Sequence, residues 1–233
     1  VDAPPLKGLR IAVISDLHAG SPYVDTKKLD QVVALTNAAR PDMVLLAGDY
    51  VVSRNAGMAI ETVAAHLKPL RARMGVFAVI GNHDRWYDAP RVTRALQAAG
   101  FTVLENSNRR ILGPHGPITV VGIGDFKTHA ADPASALRGV GANTRALCFA
   151  HSPDIFPRLP RLCALTVAGH THGGQVALPI LGRPIVPSRY GQLYAAGLVH
   201  EDGKSLFVST GIGTSIIPVR LGVPPEISAL DIH

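Results

Sequence analysis

The chain is short of cysteine, of aromatic residues and of long apolar runs. Its two cysteines, Cys148 and Cys163, both sit inside apolar segments, and none occurs in the polar clusters described below. The reading is two buried, reduced thiols. A bridge requires the two segments to be neighbouring strands. Aromatic residues are 5% of the 233, which gives an aliphatic core and disfavours a groove that tracks single-stranded nucleic acid. No run of 18 apolar residues exists, so no segment reads as a membrane span, and no signal-peptide apolar region is present. The net charge is +6, yet no basic run reaches four residues, which reads as an ordinary solvated basic surface. The chain opens on Val1 without Met, so an upstream segment, with room for an anchor, is expected to be missing.

Apolar residues are 47% and charged residues 17%, enough for a large core in a single domain over residues 1–233. The first half reads as strand–helix units. Arg10–Ser15, Met43–Ala47 and Gly75–Ile80 are apolar strands, with helices over 25–40, 56–70 and 88–99. Leu29, Val32, Val33 and Leu35 mark the buried face of the first helix. Asp16, Asp49 and Asn82 follow one another at intervals of 33 residues, the spacing of a βαβ repeat. Each therefore lies just past the C-terminal end of a strand, the edge where open parallel sheets bind ligands. The second half reads as a more antiparallel β region, with strands over 101–104, 109–112, 118–122, 145–150, 164–168, 192–200, 205–209 and 226–232. Ser152 and Pro153 read as the cap and first residue of a short helix.

Five polar clusters fall at strand ends in order: Asp16-Leu17-His18, Gly48-Asp49, Gly81-Asn82-His83-Asp84, His151 and Gly169-His170-Thr171-His172. They offer carboxylate, amide oxygen and imidazole, a ligand set for hard-to-borderline divalent cations. Taken singly, each has an ordinary structural explanation: a helix cap, a turn, or a satisfied core histidine. Five together, in register with strand ends, point to a metal centre.

That order of motifs resembles the calcineurin-like metallophosphoesterase superfamily, over Asp16 to His172. The fuller strings at 15–20, 150–154 and 169–175, and the tail 209–220, resemble a bacterial, often membrane-associated branch. The resemblance implies an α/β fold of two mixed β-sheets packed as a sandwich and flanked by helices. It implies two divalent ions, drawn from Mn, Fe, Zn, Co or Ni, with Asp16, His18 and His172 on one. Asn82, His151 and His170 are on the other, and Asp49 bridges. A shared hydroxide attacks phosphorus in line. His83, beside the ligand Asn82, is expected as general acid, with Asp84 orienting its imidazole. The Asp-Arg pair that protein phosphatases carry after the second motif is missing from 48–54, which argues against that branch. The expected substrate is a phosphodiester, pyrophosphate or lipid-linked phosphate ester, with peripheral membrane contact, in the bacterial cytoplasm or at a membrane. Nucleic acid is disfavoured and no protein partner is inferred. A phosphomonoesterase, a nuclease and a metal-bound interaction module are the rival readings. Arg85, Arg189 and Arg220 are candidates to grip phosphate. The apolar stretch Val176 to Pro187 reads as core or sheet edge, with an apolar wall or lipid-facing loop as the alternative.

Overall fold

Strands β1 (Arg10–Ile14), β2 (Met43–Leu46) and β3 (Val76–Ala78) are buried along nearly their whole length, because both of their faces are covered. These assignments come from a computed structural model that describes residues 3–52 and 57–233. A short β4 (Thr102–Val103) follows in parallel, and β11 (Ser228–Asp231) returns antiparallel to β1, giving the order β11-β1-β2-β3-β4. The second sheet has the order β5-β6-β7-β8-β10-β9. Its members are β5 (Ser107–Gly113), β6 (Gly116–Ile123), β7 (Ala146–Ala150), β8 (Cys163–Ala168), β9 (Gly197–Glu201) and β10 (Lys204–Val208).

The alternation of side chains explains the layering. Ile11, Val13, Leu45 and Phe77 from the first sheet share one core with Val120, Leu147, Phe149 and Leu165 from the second. The opposite residues, Ala12, Ile14, Val44 and Leu46, pack under α1 (Thr26–Ala38), α2 (Ile60–Leu67) and α3 (Asn82–Ala98). The outer face of the second sheet is covered more thinly, by a 3-10 turn over Pro153–Arg158 and by α4 (Pro133–Ala136). This is the expected sandwich of two mixed sheets flanked by helices.

Several local expectations are corrected. The centre of the second sheet is parallel, with antiparallel pairs only at its β5 and β9 edges. Buried two-faced strands read alike in either direction, so composition did not reveal this. Leu35 faces solvent, whereas Leu29, Val32 and Val33 are buried. The helix expected over 56–70 is α2 within the described residues; residue 56 lies outside them. The helix expected from Asp88 begins at Asn82, so the third motif is a first helical turn. Asp88 breaks the helical backbone, then accepts from the Arg91 N–H at 3.0 Å and caps a second segment. The strand expected over 192–200 divides into a 3-10 turn at Gly191–Tyr194 and β9.

The thiol reading is also corrected. Cys148 and Cys163 form a disulfide across the neighbouring strands β7 and β8, with Cα atoms 5.5 Å apart. Their strands follow one another in sequence and pair in parallel, which brings two cysteines on the outer face of the second sheet within bridging distance.

Candidate metal centre

Loops from both sheets meet at one end of the sandwich and are laced by backbone hydrogen bonds. The Asp16 and His18 N–H groups donate to the Gly48 and Asp49 carbonyls, both at 3.0 Å. The Gly169 N–H donates to His151 at 2.9 Å, and the Gly213 N–H to Asp16 at 2.7 Å. The His170 N–H reaches across the sheets to the Asp16 carboxylate at 3.0 Å. Space here is scarce. A Cβ on Gly81 would lie 2.2 Å from Asp49 Oδ1, and one on Gly169 would lie 2.5 Å from Asp16 Oδ2. The two glycines of the third and fifth motifs are therefore required by close approach.

Asp16, His18, Asp49, His170 and His172 all have φ between +44° and +72°. Left-handed backbone is costly for non-glycine residues and clusters where function over-determines it. Five such residues converging on one point is strain with a common purpose.

The side chains meet in three overlapping groups that could each hold a cation: Asp16, His18 and His172; Asp49, His151 and His170; and His18, Asp49 and His83. His18 Nε2 lies 3.1 Å from His172 Nε2, and His172 Nε2 lies 3.5 Å from Asp16 Oδ1. His151 Nε2 lies 3.1 Å from Asp49 Oδ2 and 3.2 Å from His170 Nδ1. Bonds of about 2.0–2.2 Å to one ion place adjacent ligand atoms about 3.0–3.5 Å apart in octahedral or tetrahedral geometry. The observed spacings fall in that range. Asn82 Oδ1 is buried with no hydrogen-bond partner, an orphan acceptor that a cation would satisfy. The residues present therefore fit divalent metal.

The charge states of three of the four histidines agree. Burial outweighs nearby carboxylates and lowers His18 to about 3 and His170 to about 4; it lowers His172 as well. These are neutral imidazoles, ready to ligate. Burial opposes ionisation of Asp16 and Asp49, but surrounding histidines hold both carboxyls below the usual range. His151 keeps its proton to higher pH because Asp49 and Asp16 overcome its burial. Its Nδ1 donates to the Ala47 carbonyl at 2.8 Å, which directs Nε2 into the site.

The family profile described as calcineurin-like phosphoesterase matches residues 9–174, most of the chain and all five motifs. The chain belongs to the calcineurin-like phosphoesterase family. It is 32% identical to the phosphodiesterase YaeI of Escherichia coli (strain K12) over 235 residues, covering 99% of this chain and 83% of that protein. It is 29% identical to the metallophosphoesterase YkuE of Bacillus subtilis (strain 168), covering 95% of this chain and 78% of that one. A transmembrane protein with a metallophosphoesterase domain from Danio rerio is 29% identical over 96% of this chain, which spans 53% of that protein. No helix among the described residues is long and apolar enough to cross a membrane. The protein is thus a metal-dependent phosphohydrolase acting on phosphoesters.

Within this phosphoesterase, one expected role fails. Asp84 does not touch the His83 ring. It is fully buried and accepts from the backbone N–H groups of Asp49, Tyr50 and Gly81 at 2.8, 2.8 and 2.9 Å. Burial and the Asp49 carboxylate push it up to about 7, and the Gly81 and Tyr50 donors pull it back. A neutral acid would turn an O–H toward those donors, so the geometry suits the carboxylate. Asp84 pins the second motif to the third. The His83 ring instead directs Nδ1 to the Val52 carbonyl and rests against Trp86, with centroids 4.9 Å apart. Its Nε2 makes a long 3.5 Å contact to Ser215 Oγ.

The three arginines are employed elsewhere. Arg220 donates to the Gly213 and Thr210 carbonyls and ties the tail loop together. Arg85 pairs with Glu105. Arg189 sits over the Phe126 ring, 5.1 Å from its centroid. Lys127, which sequence reasoning missed, lines the cavity over the candidate metal ligands. So does Asp125 escape the motif reading. It is fully buried beyond β6, its Oδ1 has no hydrogen-bond partner, and its charge acts on His151 and His170. Gly124-Asp125 after an apolar strand is the same signal as Gly48-Asp49 and could have been found the same way.

Proposed function

We propose that residues 1–233 act as one phosphodiesterase domain working through two divalent ions. Asp16, His18 and His172 hold one ion, Asn82, His151 and His170 hold the other, and Asp49 bridges. One observation carries the count of two: Asp49 Oδ2 lies 3.6 Å from His18 Nε2 in one group and 3.1 Å from His151 Nε2 in the other. Its Oδ1 is taken by the His83 N–H at 2.8 Å, which aims the remaining oxygen between the groups. When bound, the ions supply an activated water and neutralise charge on phosphoryl oxygens.

The chain's own residues divide the rest. His83 protonates the leaving oxygen through Nε2, while the Val52 carbonyl fixes the ring through Nδ1. The cavity of about 580 Å³ above the ligands is walled by Trp86, Val176, Pro184, Ile185, Ile216 and Ile217. Among its described lining residues, Lys127 is the one lysine or arginine. A monoester dianion would call for a stronger cationic grip than one lysine. A diester monoanion with an apolar, lipid-like ester group suits this wall better. Comparing turnover of bis-p-nitrophenyl phosphate with p-nitrophenyl phosphate under Mn²⁺ tests the reading. Faster diester cleavage is expected; faster monoester cleavage would sink it.

A further inference from the structure

Two loops rim the cavity, residues 176–187 and 213–221. They lie side by side: the Ala177 N–H donates to the Leu221 carbonyl at 2.8 Å, and the Leu221 N–H to Gln175 at 2.9 Å. Each loop presents an isoleucine in left-handed backbone, Ile180 at φ +72° and Ile216 at φ +67°. Both are fully exposed. A β-branched side chain is a poor choice for that backbone, where glycine or asparagine would be at ease. Water is also a poor surrounding for isoleucine. The same two unfavourable choices coincide at the tips of both loops. Leu181, Ile185, Ile217 and Trp86 extend the exposed apolar surface around them.

The rim is braced. The Gln175 amide accepts from the Ser215 N–H at 2.6 Å and donates to the Ile217 carbonyl at 3.1 Å. Arg183 Nε donates to Gly173 at 2.8 Å, holding the other loop. Asp154 accepts from the Ser188 hydroxyl and the Arg189 N–H, while the segment itself is basic. From His170 through His200 there is no aspartate or glutamate, while Arg183 and Arg189 fall within that span. Lys127 adds an exposed cation at the cavity mouth.

An apolar rim set in a cationic surround matches the chemistry of an anionic lipid interface. We propose that this rim docks on an anionic phospholipid bilayer. The side chains of Ile180 and Ile216 enter the acyl boundary, the basic residues meet headgroups, and the cavity opens at the interface. The proposal concerns where the site sits and stands whichever phosphoester it cleaves.

The chain has one tryptophan, Trp86, half exposed at the cavity mouth, which serves as a built-in reporter. The Mn²⁺-loaded protein is mixed with vesicles of one part phosphatidylglycerol to two parts phosphatidylcholine, or of phosphatidylcholine alone. Co-sedimentation and a blue shift of Trp86 emission are expected with the anionic vesicles, weakened by salt. The double variant Ile180→Asn/Ile216→Asn should lose about tenfold or more of the partitioning. Asparagine suits left-handed backbone, so its thermal stability should equal or exceed that of the wild type. Ile180→Asn alone should leave turnover of a soluble diester unchanged, which keeps docking and hydrolysis separately readable. No partitioning onto anionic vesicles, or a double variant that partitions like the wild type, overturns the proposal. So does wild-type dimerisation that the double variant abolishes without any vesicle binding, which would assign the rim to a second copy of the chain.

Discussion

Replacing Asp84 by Asn separates two roles for a buried carboxylate beside the metal ligands. Asp84 Oδ2 accepts from the Asp49 and Gly81 N–H groups, and Oδ1 from Tyr50. Asparagine keeps one oxygen. If that oxygen serves Asp49 and Gly81, an NH2 group faces the Tyr50 N–H, and a buried donor loses its partner. That loss costs about 1–3 kcal/mol, and the two surviving bonds, no longer charge-assisted, weaken by about 1 kcal/mol each. The expected destabilisation is therefore about 3–5 kcal/mol, or roughly 6–20 °C in Tm for a chain of this size. Urea unfolding in the presence of chelator, above pH 7.5, measures it without a metal contribution. Diester turnover with saturating Mn²⁺ measures chemistry in the same preparation. Because Asp84 positions the Asp49 backbone, the variant should need more metal for half-maximal rate. A variant with wild-type stability whose turnover falls a hundredfold would refute this reasoning and restore Asp84 as the partner of His83.

Other perturbations bear on separate parts of the site. Gly81→Ala places a methyl group against Asp49 Oδ1, so metal content and turnover should both collapse while far-UV circular dichroism persists. His83→Ala should lower kcat about 10²–10⁴-fold on diesters with alkoxide leaving groups and far less on p-nitrophenolate, which needs no proton. Equal losses on both would exclude general-acid catalysis. Chelation should destabilise the fold by about 2.7 kcal/mol for each site previously held at a hundredfold excess over Kd, read as a fall in Tm. Reduction of the Cys148–Cys163 bridge, which closes a 15-residue separation, should cost about 3 kcal/mol.

Much of the fold was legible because its strands are buried on both faces. Uninterrupted runs such as Met43–Leu46 and Cys163–Ala168 have no other ready explanation. The polar residues that end those runs were legible for the same reason, since a carboxylate or histidine directly after a buried strand needs a purpose. What stayed hidden depended on contacts between distant segments. Strand direction, and with it the disulfide, follows from which strands pair. The role of Asp84 depends on the second motif lying against the third, 33 residues apart in sequence. Arg220 looked free to bind phosphate because the carbonyls that occupy it come from loop residues brought close only by folding. The stretch Val176 to Pro187 was read as core or sheet edge by composition; the turn joining Leu178 to Gly182 instead lifts Ile180 and Leu181 into solvent.

The central claim is that the seven ligands bind two ions that act together in diester cleavage. Titrating Mn²⁺ into metal-free protein, while measuring bound metal and bis-p-nitrophenyl phosphate turnover in the same samples, tests it most directly. The account predicts that activity saturates only as bound metal reaches two ions per chain. Saturation at one ion per chain, or two bound ions with no diester cleavage, would contradict it.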